Sequence, residues 1–219
     1  MSAKDSKTKS TLGRDILIYI IVTVIFAVLG FFIIKYCFMD NVAPFVSQYD
    51  GQNYEVRKVG DLSNRQTAAD YLAIINTKIN KLVDYMNLHN LPDPDTAKRL
   101  YHRWLECELK ETNSTEKSAA YTLNKSSEIR LCIRDHNGNF ENQNTSMFVI
   151  LHELAHVMSI SYNHTEEFKN NFNYITHLAS SLGIYKPQDF TKHPTSYCGV
   201  SINSTPCENN SCSYNVTKI

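Results

Sequence analysis

The chain has 219 residues, enough for one domain of ordinary size with additional segments. Its 42% of hydrophobic and 20% of charged residues are typical of a globular protein and exclude a disordered one. The formal net charge is zero and no basic run is interleaved with aromatic residues, so we expect no nucleic-acid partner.

An uncharged apolar segment lies close to the N-terminus. Residues 16–34, ILIYIIVTVIFAVLGFFII, run for 19 residues without a charged side chain. A helix of this length spans roughly 30 Å, which is about the thickness of a bilayer core. We therefore predict an N-terminal tail at residues 1–15 and a single transmembrane helix at residues 16–38.

The charges beside this segment predict its orientation. Four basic residues precede it, whereas only Lys35 follows closely and the next basic residue is Arg57. Positive charge is retained on the cytosolic side, so we expect a cytosolic N-terminus. The C-terminal domain is then expected to be lumenal or extracellular, or to lie on a virion or host membrane.

Five of the six cysteines follow the predicted transmembrane helix at residues 16–38, and an odd number leaves at least one without an intramolecular partner. Disulfides of Cys198 with Cys207 or Cys212 fit an oxidising compartment. A glycoprotein is also compatible with the sequence, although Asn, Ser and Thr are abundant enough for several sequons to arise by chance. The seven Asn-x-Ser/Thr sequons begin at Asn113, Asn124, Asn144, Asn163, Asn203, Asn209 and Asn215.

The next part of the chain predicts a stem followed by a long helix. Residues 39–62 lack a regular pattern and are interpreted as a stem or linker. Ser63 and Gln66 are typical of a capping box, and apolar residues then recur at steps of three and four. The Pro-containing segment 91–95 ends this helix. The segment 97–111, AKRLYHRWLECELKE, is ambiguous between helix and strand.

Residues 119–135, AAYTLNKSSEIRLCIRD, predict two short strands around a polar turn. In the second half, apolar and polar side chains alternate with a period of two. We expect the strand at 128–134 to bind an extended substrate as a neighbouring strand.

Two helices are predicted after these strands. Asn144 or Thr145 would cap a helix over 146–160 that is apolar almost all round and therefore buried. Thr165 would cap the following helix, and Gly183 would end it.

The first of these helices contains the motif His-Glu-x-x-His as His152, Glu153 and His156. Residues four apart lie on one face of a helix, so both imidazoles can bind one metal ion. Glu153 lies beside that face, which suits a base acting on a metal-bound water. Two imidazoles and a carboxylate in an apolar helix are costly to bury without such a partner. We therefore predict one zinc ion here.

Catalytic zinc sites usually have three protein ligands and an open position for water. The candidates for the third ligand are His164, Glu166 and Glu167. His164 is favoured because the segment before it can turn back beneath the metal. The two glutamates have a competing function in the first turn of the next helix.

Three segments together resemble the WLM and SprT-like zincin metallopeptidases, in particular membrane-anchored forms of large DNA viruses and protists. These segments are MFVILHELAHVMS…HTEEF, AAYTLNKSSEIRLCIRD and GIYKPQDF…PTSYCG. The resemblance covers roughly residues 54–200, and HELAH is its most specific part. Typical members place the third histidine nearer to the second than this chain does.

The resemblance implies an α+β domain with a minimal zincin-like fold of the gluzincin or metzincin kind. Its active-site helix would pack on a small sheet within residues 63–200. From the irregular sequence near the C-terminus we expect residues 201–219 to form a flexible tail. It also implies His152, His156 and His164 as zinc ligands and Glu153 as the catalytic acid and base.

The expected function is that of a membrane-anchored zinc endopeptidase acting on a protein or peptide substrate. Glu153 would deprotonate a zinc-bound water, which attacks the peptide carbonyl, and would then protonate the leaving amine. Tyr197 and Tyr162 are candidates for a hydrogen bond to the oxyanion.

Two other functions compete with this expectation. One is a non-catalytic binding or structural membrane protein on a zincin scaffold, against which the presence of Glu153 speaks. The other is proteolysis of DNA-bound proteins, which would require the domain to face the cytosol.

Overall fold

The computed structural model describes residues 3–38, 41–113, 118–123 and 127–206. The described residues form a mixed α+β protein with five helices and three small sheets, as predicted for the fold class. The chain divides into two compact units, Met1–Asn41 and Val42–Ile219.

The first unit is the helix α1, Ala3–Phe38. Its segment Ile16–Ile33 is apolar and long enough to cross a membrane, and none of that segment is buried in the protein. A membrane span and a signal sequence both have these properties, and the segment lies near the N-terminus. The helix is therefore a candidate membrane span.

The second unit contains four helices and seven strands among its described residues. The helices are α2 Leu62–His89, α3 Pro94–Leu105, α4 Gln143–Met158 and α5 Glu166–Ser181. The strands are β1 Val42–Val46, β2 Asn53–Arg57, β3 Glu108–Glu111, β4 Ala120–Leu123, β5 Glu128–Leu131, β6 Thr195–Tyr197 and β7 Val200–Ile202.

The strands form two hairpins and one three-stranded sheet. β1 pairs with β2 and β6 with β7, both antiparallel. In the three-stranded sheet β5 is central, with β3 parallel to it on one side and β4 antiparallel on the other. The strands on either side of the predicted turn, β4 and β5, therefore pair with each other. β4 lies at one edge of the three-stranded sheet.

The helix boundaries differ slightly from the predicted ones. Asp61, rather than the predicted Ser63, caps α2 and accepts a hydrogen bond from the helix backbone. Asn142 caps α4, so this helix begins earlier than predicted from Asn144 or Thr145. The predicted cap of α5, Thr165, is confirmed.

The stem predicted for residues 39–62 is largely folded. The carboxylate of Asp70 on α2 accepts hydrogen bonds from Ser47 Oγ and from the backbone of Gln48 and Tyr49, in the turn between β1 and β2. The hairpin therefore belongs to the second unit, and the prediction of a stem over this part of the chain was wrong.

A buried ion cluster joins β2, β3 and the segment after β5. Glu111 is fully buried and accepts hydrogen bonds from Arg57 Nε at 2.9 Å and from Arg134 Nε at 2.9 Å. Its second oxygen accepts the backbone N–H of Arg57 at 2.7 Å. Buried charges persist where opposite charges and hydrogen bonds satisfy them, so this cluster fixes how the hairpin meets the sheet.

A disulfide joins Cys132, one residue after β5, to Cys198 in the turn between β6 and β7. Cys198 therefore does not pair with Cys207 or Cys212, the partners that the sequence left open; those two residues lie outside the described part of the chain. The bridge closes a separation of 66 residues and holds the C-terminal hairpin on the sheet. Cys107 is a free thiol.

Replacing both Cys132 and Cys198 by alanine is expected to lower the free energy of unfolding by about 2 to 5 kcal/mol, because the unfolded chain loses a long cross-link. Urea denaturation of the full chain in detergent measures this loss. The control is Cys107→Ala, which breaks no disulfide. Equal losses in the two variants would contradict the structural role of the bridge.

The active-site helix predicted from the sequence is the most enclosed helix of the second unit. α4 packs against α3, α5, β4 and β5, and most of its residues are buried. The prediction that it is apolar almost all round and therefore buried is confirmed. Any polar side chain on α4 consequently faces either a neighbouring element or a cleft.

Candidate metal centre

The two histidines of the His-Glu-x-x-His motif lie one turn apart on α4 and face the same side. The ring centroids of His152 and His156 are 5.0 Å apart. Both side chains are half-buried and lie in the wall of a cleft. The helical geometry predicted for the motif is therefore observed.

His164 approaches this pair from the loop between α4 and α5. Its Nε2 lies 3.0 Å from Nε2 of His152, and its ring centroid is 4.9 Å from that of His152 and 5.0 Å from that of His156. One potential ligand atom of each histidine lies within 4.8 Å of those of the other two. Nitrogens that share a tetrahedral zinc ion are about 3.3 Å apart at ordinary Zn–N distances. Three converging imidazoles therefore fit this metal.

The two glutamates considered as alternative ligands are bonded to other groups. Glu167 accepts the backbone N–H groups of Ile160 at 2.7 Å and Ser161 at 2.9 Å. Hydrogen bonds from Ser161 and Ile160 hold the pKa of Glu167 down at about 2. Glu166 is exposed and pairs with Lys169. Glu167 thus organises the loop that carries His164.

Replacing Glu167 by glutamine is expected to weaken zinc binding by about 10- to 100-fold, the usual range for residues that orient metal ligands. The amide loses the charge-assisted hydrogen bonds to the loop backbone, so His164 is held less firmly. Competition with a chromogenic chelator measures the zinc affinity of the full chain in detergent.

The matched control is Glu166→Gln, which removes a carboxylate from the same helical turn without touching the loop. An equal loss of zinc affinity in both variants would attribute the effect to the charge at the helix N-terminus instead. Unchanged affinity in Glu167→Gln would contradict the positioning role.

An aromatic wall from α5 supports the three imidazoles. The ring centroid of Phe168 lies 4.8, 4.2 and 4.7 Å from those of His152, His156 and His164, and Phe172 lies 5.1 Å from His152. Phe168 and Phe172 are four residues apart and therefore lie on one face of α5, as their spacing in the sequence indicates. The spacing did not indicate that they contact the histidines, since that contact depends on how α5 packs on α4.

Burial of the histidines changes their acidity. Burial, followed by the neighbouring imidazoles, lowers the pKa of His152 to about 3. Burial and the nearby His164 lower the pKa of His156 to about 4. Both rings are therefore neutral at neutral pH, the state in which an imidazole nitrogen binds a metal.

Glu153 lies beside the triad with its carboxylate in the cleft wall. It is only 7% exposed, and Oε2 accepts a hydrogen bond of 2.7 Å from the Thr122 hydroxyl on β4. Burial raises the pKa of Glu153, and the bond from Thr122 opposes that rise. Sequence reasoning missed Thr122, because the position of β4 relative to α4 leaves no local signal.

The cleft has a volume of about 890 Å³ and lies between β4, α4 and the loop before α5. The lining residues are Arg103, Ala120, Tyr121, Thr122, His152, Glu153, His156, Ser161, Tyr162, Asn163 and His164. β5 is paired on both sides, so the prediction that the strand at 128–134 takes up substrate was wrong. Within the described residues β4 is the edge strand beside the cleft.

The two tyrosines predicted as oxyanion donors differ in position. Tyr197 is fully buried and its hydroxyl hydrogen-bonds to the Cys132 carbonyl and to the Ser146 hydroxyl. Tyr197 does not line the cleft, so that prediction was wrong. Tyr162 lines the cleft and is 74% exposed, so it stays a candidate.

Three curated viral proteins are similar to this chain. Uncharacterized protein R325 of Acanthamoeba polyphaga mimivirus is 34% identical over 148 residues, which cover 66% of this chain and 75% of that protein. Uncharacterized protein 136R of Invertebrate iridescent virus 6 is 39% identical over 83 residues, 36% of this chain and 44% of the relative. Uncharacterized protein 042R of Invertebrate iridescent virus 3 is 39% identical over 87 residues, which cover 39% of this chain and 52% of that protein.

The chain thus spans about half the length of the two iridescent-virus relatives. No protein-family model matches the sequence, and no solved structure matches it either.

Proposed function

This chain belongs to the same protein family as the uncharacterized protein R325 of Acanthamoeba polyphaga mimivirus, and we propose that it is a membrane-anchored zinc metallopeptidase. The observation that carries the proposal is the convergence of three imidazoles next to the buried carboxylate of Glu153 in an open cleft. Cleavage of peptides by the full chain, compared between wild type and Glu153→Gln, tests it.

His152, His156 and His164 would hold the zinc ion. When bound, zinc supplies a Lewis acid that lowers the pKa of a water molecule and polarises a peptide carbonyl. Three imidazole nitrogens suit zinc. A set of three protein ligands at the wall of a cleft is typical of catalytic sites, whereas structural zinc sites have four.

Glu153 would move the proton. It takes a proton from the attacking water and passes it to the amine of the leaving peptide. Its burial raises its pKa, so it holds the proton between the two transfers more readily than an exposed glutamate would. Thr122 orients the carboxylate by donating a hydrogen bond to one of its oxygens.

The cleft would take an extended polypeptide along β4. Thr122 and its neighbours lie on an edge strand at the site, and extended peptides bind such edges by adding a strand. Tyr162 lines the cleft and would donate a hydrogen bond to the oxyanion. The packing of α4 on a three-stranded sheet with such an edge supports a zincin-like fold related to the WLM and SprT-like peptidases.

The membrane anchorage and its topology are part of the same proposal. α1 would anchor the chain with its N-terminus in the cytosol and the second unit on the lumenal or outer side, or on a virion or host membrane. The Cys132–Cys198 disulfide supports this side of the membrane, because disulfides persist in oxidising compartments.

A further inference from the structure

Arg103 brings a positive charge into the wall of the metal cleft. It lies on α3, and it lines the cleft together with Thr122, Glu153 and His156. Its Nη1 donates hydrogen bonds to the carbonyl of Val157, the residue next to His156, and to that of Ser159. The guanidinium is therefore held in a fixed place beside a metal ligand.

Arg99 lies one turn before Arg103 on α3 and makes similar hydrogen bonds to the end of α4, but it lies outside the cleft. Its Nε donates to the Met158 carbonyl at 2.7 Å and its Nη2 to Thr96 Oγ1 at 3.1 Å. Both arginines thus bind carbonyls at the C-terminal end of α4, where cations are favourable. Arg99 does not line the cleft, whereas Arg103 does.

Arg103 retains donors for a ligand. A guanidinium carries five N–H groups in a planar fork. Among the described residues, the hydrogen bonds that Arg103 donates run through Nη1. The N–H groups of Nε and Nη2 can therefore donate hydrogen bonds to a carboxylate in the cleft.

The charges around the cleft favour an anionic group. Among the described residues that line the cleft, Arg103 is the only Lys or Arg and Glu153 is the only carboxylate. Glu153 is already bonded to Thr122, and Glu167, which lies near Arg103, is bonded to the loop backbone. A zinc ion held by His152, His156 and His164 would add further positive charge.

We propose that the site selects peptides that carry an aspartate or glutamate beside the scissile bond, and that Arg103 is the residue that recognises this carboxylate. The inference rests on the proposed peptidase function and names its substrate class. A carboxylate and a guanidinium form paired, charge-assisted hydrogen bonds, which distinguish the acid from the amide of the same size.

The test uses zinc-loaded full chain in detergent and pairs of peptides that differ only in Glu or Gln at one position flanking the cleaved bond. Wild type is expected to cleave the Glu peptide with a kcat/KM about 10- to 100-fold higher at one position, the range for hydrogen bonds to charged groups. Arg103→Gln should bring this ratio close to one.

Arg99→Gln is the matched control, since it weakens the same helix terminus without removing a cleft residue. Arg99→Gln should keep the wild-type ratio even where the overall rate falls, and zinc content is measured for both variants.

A ratio near one in wild type would overturn the preference, whether or not Arg103→Gln folds. A preference that persists in Arg103→Gln would overturn the role of Arg103. Cleavage of no peptide by zinc-loaded wild type would instead overturn the peptidase function itself.

Discussion

Replacing Glu153 by glutamine is expected to lower kcat for peptide cleavage by about 100- to 10,000-fold, the contribution typical of a positioned general base. Glutamine has the same size and can still accept the hydrogen bond from Thr122, so the cleft keeps its shape. It cannot take the proton from the attacking water. Zinc content should stay at one ion per chain, because Glu153 is not among the three converging histidines that are proposed to hold it.

The measurement combines elemental analysis for zinc with cleavage of a broad peptide panel, on full chain in detergent. The control is Glu166→Gln, whose exposed carboxylate pairs with Lys169 and does not line the cleft. Cleavage by Glu153→Gln at the wild-type rate would contradict the assignment of the base. Stoichiometric zinc without cleavage by wild type would favour the non-catalytic binding or structural protein.

Replacing His164 by alanine is expected to weaken zinc binding by more than about 100-fold, since even residues that only support metal ligands contribute 10- to 100-fold. The remaining His152 and His156 supply two nitrogens, too few to hold zinc firmly in an open site. Peptide cleavage should be lost with the metal. Competition with a chelator gives the affinity, and cleavage is followed at saturating zinc.

His193→Ala is the control for removing an imidazole, because His193 is exposed and does not line the cleft. Wild-type affinity in His164→Ala, together with loss of zinc in a Glu166→Ala or Glu167→Ala variant, would make a glutamate the third ligand. That result would also contradict the interpretation of Glu167 as a loop anchor.

The helix that carries the site could be predicted from the sequence, because its signals are local. The spacing of His152 and His156 fits one helical face, and the apolar run around them predicts burial. Thr165 is a cap by its side-chain chemistry and its position before two glutamates. These features depend on residues within two turns of each other, so no knowledge of the tertiary structure was needed.

The parts that could not be predicted depend on contacts between distant segments. Thr122 reaches Glu153 only because β4 packs against α4, and Phe168 reaches the imidazoles only because α5 packs beside them. Cys198 has two cysteines near it in the sequence, yet its partner Cys132 lies 66 residues away. Likewise, the alternating pattern of β5 predicts a substrate-binding strand, but β3 and β4 pair with it on both sides and leave it no free edge.

The proposed metallopeptidase is tested most directly by titrating metal-free full chain with zinc while cleavage of a peptide substrate is followed in the same samples. Activity is predicted to be absent without metal, to rise in proportion to added zinc and to level off at one equivalent per chain. Binding of one equivalent of zinc with no appearance of cleavage, or cleavage that is independent of added zinc, would contradict it.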